Sequence, residues 1–291
     1  MAGAIECVPN FSEGRDPRVL ASLAAGIRDT PGVALLDHSA DPDHNRSVFT
    51  FTGEAGAVLQ AALTAAAIAV ARIDLNRHGG VHPRIGALDV APFVPLSGGD
   101  PAEACGQVAH EFGRRLWEGL GVPVFFYEQA AIRPEFGRLE ELRRLAKEGA
   151  APDIGEGRHP TAGACAVSAR DFLIAWNIWL ESTDVSLARQ FARAVRQSSG
   201  GFAGVKALGL PLESAGLVQV SINTTNFRET PLHVVFEAVA AMAVRAGVRV
   251  RGSELIGMIP QSALERSEGH DLQWINLSPS RVLLPVKPAG E

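Results

Sequence analysis

The sequence predicts an α/β (α+β) protein made of two ferredoxin-like βαββαβ subdomains, with mixed sheets and helices on the outside. Three observations lead there. Apolar spacing in the first hundred residues alternates between period 2 and period 3.6 in the order strand, helix, strand, strand, helix, strand. The same order restarts at Asp171, which places the subdomains at residues 1–170 and 171–291. A chain of 291 residues with 46% hydrophobic and 20% charged residues can bury a core in each half.

Each element has a local reason. Residues 5–8 read as a strand, and Asp16-Pro17 then supplies a capping carboxylate and a proline at the first helical position. Val19, Leu20, Leu23 and Ile27 keep helical spacing until Thr30-Pro31-Gly32. A short strand over 33–36 leads into the polar segment DHSADPDHN, read as a loop from its turn-forming composition. RSVFTFTG follows as a strand, 57–73 as an alanine-rich buried helix, and a further strand begins near Ile85. Asp100-Pro101 opens an appended helix with Glu103 completing a capping box, VPVFFYE makes a strand, and 139–145 an amphipathic helix. The second half gives strand FLIAWNIWL, helix 186–196, strands 205–210 and LVQVSIN, helix 232–246 and strand VRVRGSELIGMI.

Composition narrows the function. A formal charge of -5 with no basic tract disfavours a nucleic-acid partner. Cys7, Cys105 and Cys165 are an odd, widely spaced set, neither a disulfide framework nor a zinc cluster, so a reducing cytoplasm is expected. The N-terminus lacks a basic region followed by an apolar run, and the apolar helices read as too alanine-rich and short for a span; neither export nor membrane insertion is expected.

Chemistry-bearing residues gather in RHGGVHPRIGALDVAPF, residues 77–93. His78 and His82 have the i, i+4 spacing of a helical zinc pair, but Gly79, Gly80 and Pro83 oppose a helix there and no metal is expected. A glycine-permitted loop presenting His82 fits better: as an acid/base, since imidazole titrates near neutrality, or as a partner of a loop carbonyl. Arg46, Arg77 and Arg84 stand at junctions where a guanidinium meets a carboxylate, of substrate or of protein. VPNFSEGRDP has neither the P-loop lysine nor G-x-G-x-x-G, which disfavours nucleotides. GEGRHPTAG consists of Gly155, Glu156, Gly157, Arg158, His159, Pro160, Thr161, Ala162 and Gly163; it allows close backbone approach to a flat ligand, or a plain linker.

ECVPNFSEGRD, LLDHSADPDHNRSVFTFTG, HGGVHPRIGALDVAPFVPL, HPTAGA and FLIAWNIWL together resemble the formiminotransferase family, the glutamate formimidoyltransferases, from about Glu6 to about Ile259. The resemblance implies transfer of the formimidoyl group from N-formimidoyl-L-glutamate to N5 of tetrahydrofolate in histidine breakdown. It implies tetrahydrofolate as co-substrate, two α/β subdomains with a ligand cleft between them that holds the folate, and a homodimer. The second histidine of H-x-G-x-H-P-R, the family's catalytic one, falls on His82, and the folate-contacting stretch on Gly155 to Gly163. Arg84, with Arg46 or Arg77, is then expected to hold substrate carboxylates, and Asp37 or Asp41 to stabilise the cationic formimidoyl group. Ser39 stands where the mammalian pattern is acidic. No cyclodeaminase activity is expected. Formyl transfer on the same site, a non-catalytic folate-binding paralogue and a metallohydrolase are the alternatives.

Overall fold

The computed structural model describes residues 4–42, 44–80, 83–96, 101–212 and 215–283, which fall into two compact units, up to Asp171 and from Phe172. In the first, β1 (Ala4–Cys7) and β2 (Asn10–Phe11) are one strand interrupted at Val8-Pro9, where proline has no N–H for the ladder. Then follow α1 (Pro17–Arg28), β3 (Val33–Asp41), β4 (Arg46–Glu54), α2 (Ala55–Arg72), β5 (Leu88–Pro95), α3 (Pro101–Leu120), β6 (Val124–Glu128), α4 (Leu139–Lys147) and β7 (Cys165–Ala169). Asp16 caps α1 by accepting the Arg18 N–H, with Pro17 at the first turn.

Spatially the sheet runs β3, β4, the β1/β2 strand, β5, β7, β6. The first four make the antiparallel split-βαβ set. β7 extends it by parallel pairing with β5, and β6 by parallel pairing with β7, because α3 and α4 each return the chain in the same direction. Ile5, Cys7, Phe11, Phe49, Phe51 and Phe93 point to one side, into a core shared with α1, α2 and α3. On the other side Val90, Phe125, Tyr127 and Ala166 pack with Phe136, Leu142 and Ala146 in a smaller core beneath α4.

α2 is long and apolar enough to cross a bilayer by length and composition alone, contrary to the expectation that the apolar helices are too short and alanine-rich. Here Val58, Ala61, Ala62, Ala65, Ala66 and Ala69 are buried in the core, the small side chains permitting close packing on α1 and the sheet.

In the second unit β8 (Ile174–Leu180), α5 (Val185–Val195), β9 (Val205–Leu212), β10 (Leu217–Thr224), α6 (Leu232–Arg245) and β11 (Val250–Ile256) form a sheet in the order β11, β8, β10, β9. Every pairing in it is antiparallel, so mixed character belongs to the first sheet alone. A bare βαββαβ order alternates its directions; only the added β6 and β7 break that alternation. Ile174, Trp176, Ile178, Val218, Val220 and Ile222 bury one face, the period of 2 read from the sequence.

Candidate active site

Asp37 and Asp41 lie in a strand, not in the loop their composition suggested. β3 continues to Asp41 with a bulge after Leu35, and then pairs Asp37 with Thr50, Ser39 with Val48 and Asp41 with Arg46. Directly opposed residues share a face. Asp37, Ser39, Asp41 and Arg46 therefore project together, away from the side on which Phe49 and Phe51 are buried. Asn10 opposes Val48 and Glu6 opposes Thr52, so both join that polar face. Ladder satisfaction along nine residues of β3 outweighed the turn preference of Asp and Ser.

Arg46 donates to the Asn10 side chain. Burial is the main influence on its guanidinium and lowers its pKa to about 10; Asp89 acts in the opposite sense, and the cations Arg143 and Arg84 add to the lowering. Arg84 instead ties loops: Nη2 donates to His44 O at 2.9 Å, and Nη1 to Asn45 O at 3.2 Å and to a His78 ring nitrogen at 2.7 Å. Burial first, then Arg84, keeps His78 below the usual imidazole pKa, consistent with a neutral ring that accepts. Arg77 ends a 3-10 turn, Leu75–Arg77, and is exposed.

His82 lies outside the described residues; both approaches to it are described. Asn45, in the left-handed region at φ 48, accepts the Gly14 N–H at 2.9 Å and donates to Gly79 O at 3.1 Å, joining three loops through one amide. At the exit Ile85 N donates to Asp89 Oδ1 at 2.7 Å, Ser12 N to Ala87 O at 2.8 Å, and Ser12 Oγ to Gly86 O at 2.7 Å. Asp89 is 2% exposed and pairs through Oδ2 with Arg143 of α4.

The stretch Gly155 to Gly163 is a built turn laced to both approaches. Leu75 N donates to Thr161 O at 2.8 Å and Asn76 Nδ2 to Pro160 O at 2.9 Å. Ala87 N donates to Ala162 O at 2.8 Å, and Ala164 N to Ile85 O at 2.9 Å. His159 Nδ1 accepts from Ala162 N at 3.0 Å and Thr161 N at 3.3 Å, so those two amides are spent inside the turn. Gly163, at φ 70, has no room for a Cβ, which would fall 2.3 Å from Ile85 O. Gly155, at φ 84, lies against the Trp117 ring; Glu156, Gly157 and Arg158 are exposed.

The fold thus brings Asp37, Asp41 and Arg46 onto one sheet face, and Gly155 to Gly163 against the loop that carries His82. Arg77 is exposed and Arg84 is committed to loop carbonyls. Sequence reasoning missed Asn10, Asn45, Asp89 and Arg143. The asparagine beside Arg46 carried a signal, a turn residue that tolerates left-handed backbone; Arg143 carried none, sitting in a charge run that reads as a solvated helix face. Among the described residues no three His, Cys, Asp or Glu side chains are grouped to hold a metal ion.

Two family profiles cover nearly all of this architecture. The N-terminal subdomain of the formiminotransferase domain matches residues 4–170, and the formiminotransferase domain matches residues 175–277. A glutamate formimidoyltransferase of Streptococcus pyogenes serotype M1 is 42% identical over 274 residues, 91% of either chain. One of Thermoplasma acidophilum is 40% identical over 271 residues, 89% of either chain. The formimidoyltransferase-cyclodeaminase of Gallus gallus is 42% identical over 280 residues, covering 91% of this chain and 51% of that one. With both profiles matched in order and such identity across nine-tenths of relatives of similar length, the chain belongs to the formiminotransferase family.

Proposed function

We propose that the protein transfers the formimidoyl group of N-formimidoyl-L-glutamate to N5 of tetrahydrofolate, giving L-glutamate and 5-formimidoyltetrahydrofolate. The observation that carries the reading is the 40–42% identity to glutamate formimidoyltransferases along nearly their whole length. The H-x-G-x-H-P-R loop, whose two approaches are hydrogen-bonded to the turn at 159–164, supports it.

N5 is a neutral amine and the formimidoyl carbon is amidine-like, so attack yields a tetrahedral centre bearing three nitrogens. His82 takes the proton lost from N5 and returns it to the glutamate nitrogen, which leaves as an amine. Asp37 and Asp41, on the face of Arg46, offset the positive charge of the formimidoyl group. Arg46 is the carboxylate ligand we favour; Arg84, with its N–H groups on His44 O and Asn45 O, is a positioning residue for the loop. Tetrahydrofolate is a co-substrate, with the turn from Gly155 to Gly163 as part of its site. The protein works as a homodimer in the cytoplasm, where its free thiols stay reduced; light scattering measures the assembly.

The test is turnover of purified protein with tetrahydrofolate and either formimidoylglutamate or formylglutamate. Folate-dependent release of glutamate from the formimidoyl donor is expected. Activity on the formyl donor alone, or hydrolysis without folate, would refute the assignment.

A further inference from the structure

Asp89 of β5 is ion-paired with Arg143, and Arg46 reaches toward the same strand by donating to the side chain of Asn10, whose ladder partner is Val90. Arg46 and Arg84 each feel Asp89 as an attraction and Arg143 as a repulsion, and Arg15 adds a further repulsion on Arg84. The surroundings are dry: the Arg143 and Asp89 side chains are 12% and 2% exposed.

Arg143 and Asp89 do not form a closed fork. Asp89 gives one oxygen to Arg143 Nη2 and the other to Ile85 N. Arg143 Nε is buried and has no hydrogen-bond partner among the described residues. A buried charged donor left unused is costly, and an incoming carboxylate would satisfy it in the planar geometry for which arginine is suited. The placement suits a substrate: α4 covers the β5, β6 and β7 end of the sheet face on which Arg46 projects from β4. Asp89 also holds Ile85, three residues after His82.

We infer that Arg143 of α4, held by Asp89, and Arg46 of β4, held by Asn10, form a binding site for a substrate carboxylate. The choice of ligand rests on the transferase reading; the site itself does not. The carboxylate comes either from the formimidoyl donor or from the glutamyl tail of the folate.

Arg143→Gln, Arg143→Lys and, as a neighbour on the same helix, Arg144→Gln are compared with the unmodified protein. Arg144 is exposed and paired with Glu141 and Glu148. KM is measured separately for formimidoylglutamate and for tetrahydrofolate, and calorimetry follows binding of glutarate, a plain dicarboxylate. Arg143→Gln is expected to raise one of the two KM values by about ten- to a hundredfold, the loss of a charge-assisted contact. Arg143→Lys recovers part of it and Arg144→Gln leaves both unchanged. A rise for the donor alone assigns the donor carboxylate, and a rise for folate alone assigns the glutamyl tail.

Unchanged KM values and unchanged glutarate binding in a folded Arg143→Gln protein would overturn the site while leaving the transferase reading intact. If the unmodified protein turns over neither donor yet loses glutarate binding on Arg143→Gln, the site stands and the transferase reading falls. Should Arg143→Gln not fold, equal KM values and equal glutarate binding in Arg143→Lys and the unmodified protein would overturn it.

Discussion

The lacing of the His82 loop to the turn at 159–164 depends on the absence of a side chain at Gly86. A Cβ there would fall 1.9 Å from Ala164 O and 2.6 Å from Leu88 O, where real Cβ atoms keep beyond 3.0 Å, so Gly86→Ala must part the segments by about 1 Å. Both obstacles are backbone, which has no rotamer to escape into. Such a shift stretches the Ala87 N to Ala162 O bond, 2.8 Å, and the Ala164 N to Ile85 O bond, 2.9 Å, beyond useful length. Two lost hydrogen bonds cost about 2 kcal/mol net, and overpacking adds about 1–3, giving about 3–5 kcal/mol. A domain of ordinary stability, about 5–15 kcal/mol, survives that loss in weakened form. Urea unfolding followed by tryptophan fluorescence measures it, with Gly79→Ala as reference, because a Cβ at Gly79 meets nothing within 4 Å. At saturating substrate kcat should fall by roughly a hundredfold in Gly86→Ala, since a displacement of ~1 Å at the loop exit misplaces the proton-transfer group. A stability difference below about 0.5 kcal/mol between the two alanine variants would refute the reasoning, because surface-like tolerance is of that size.

His82→Ala should lower turnover by about 10²- to 10⁴-fold while folate still binds, measured by steady-state kinetics beside a folate titration; near-normal turnover removes the proton shuttle. Glu6 is 4% exposed, and burial, opposed in part by Arg170, raises its pKa from 4.5 to about 7. A carboxyl with a raised folded pKa retains its proton between about pH 4.5 and 7 while the unfolded chain loses it, so its stabilising contribution is complete below that window and is lost as pH rises through it. Glu6→Gln should therefore match the unmodified protein near pH 4 and exceed its stability above pH 7, by up to about 3 kcal/mol, read from urea midpoints across pH; a pH-independent difference would contradict this. Burial pushes the Cys7 and Cys165 thiols well above the usual range and Cys105 up to about 12, so a thiol reagent at pH 8 should label none of the three in native protein and all of them in denaturant.

The order of strands and helices was legible because each element declares itself within a window of ten to twenty residues: the apolar period in α1 and β8, the Asp16-Pro17 cap, the Pro31-Gly32 break. β7 was not legible. CAVSA is five residues long and buried on both faces between β5 and β6, so it shows no alternation, and its partners lie far away along the chain. DHSAD was misread for the opposite reason: its local preference is for turns, and only the ladder against β4 makes it a strand.

The candidate site divides the same way. The His82 motif and the glycine-bearing turn at 155–163 are contiguous, and their residue types are unusual enough to be noticed in one dimension. Arg143 and Asp89, 54 positions apart, meet only because α4 folds back over the sheet, and Asp41 faces Arg46 only through the register of one hairpin. From the sequence alone come the kinds of element, the candidate proton carrier and the family resemblance, since these are properties of neighbouring residues. Which charges share a face, which glycines have a backbone atom where a Cβ would be, and which arginine is committed to a carbonyl were decided by tertiary structure, because each depends on the distance between residues the chain itself keeps apart.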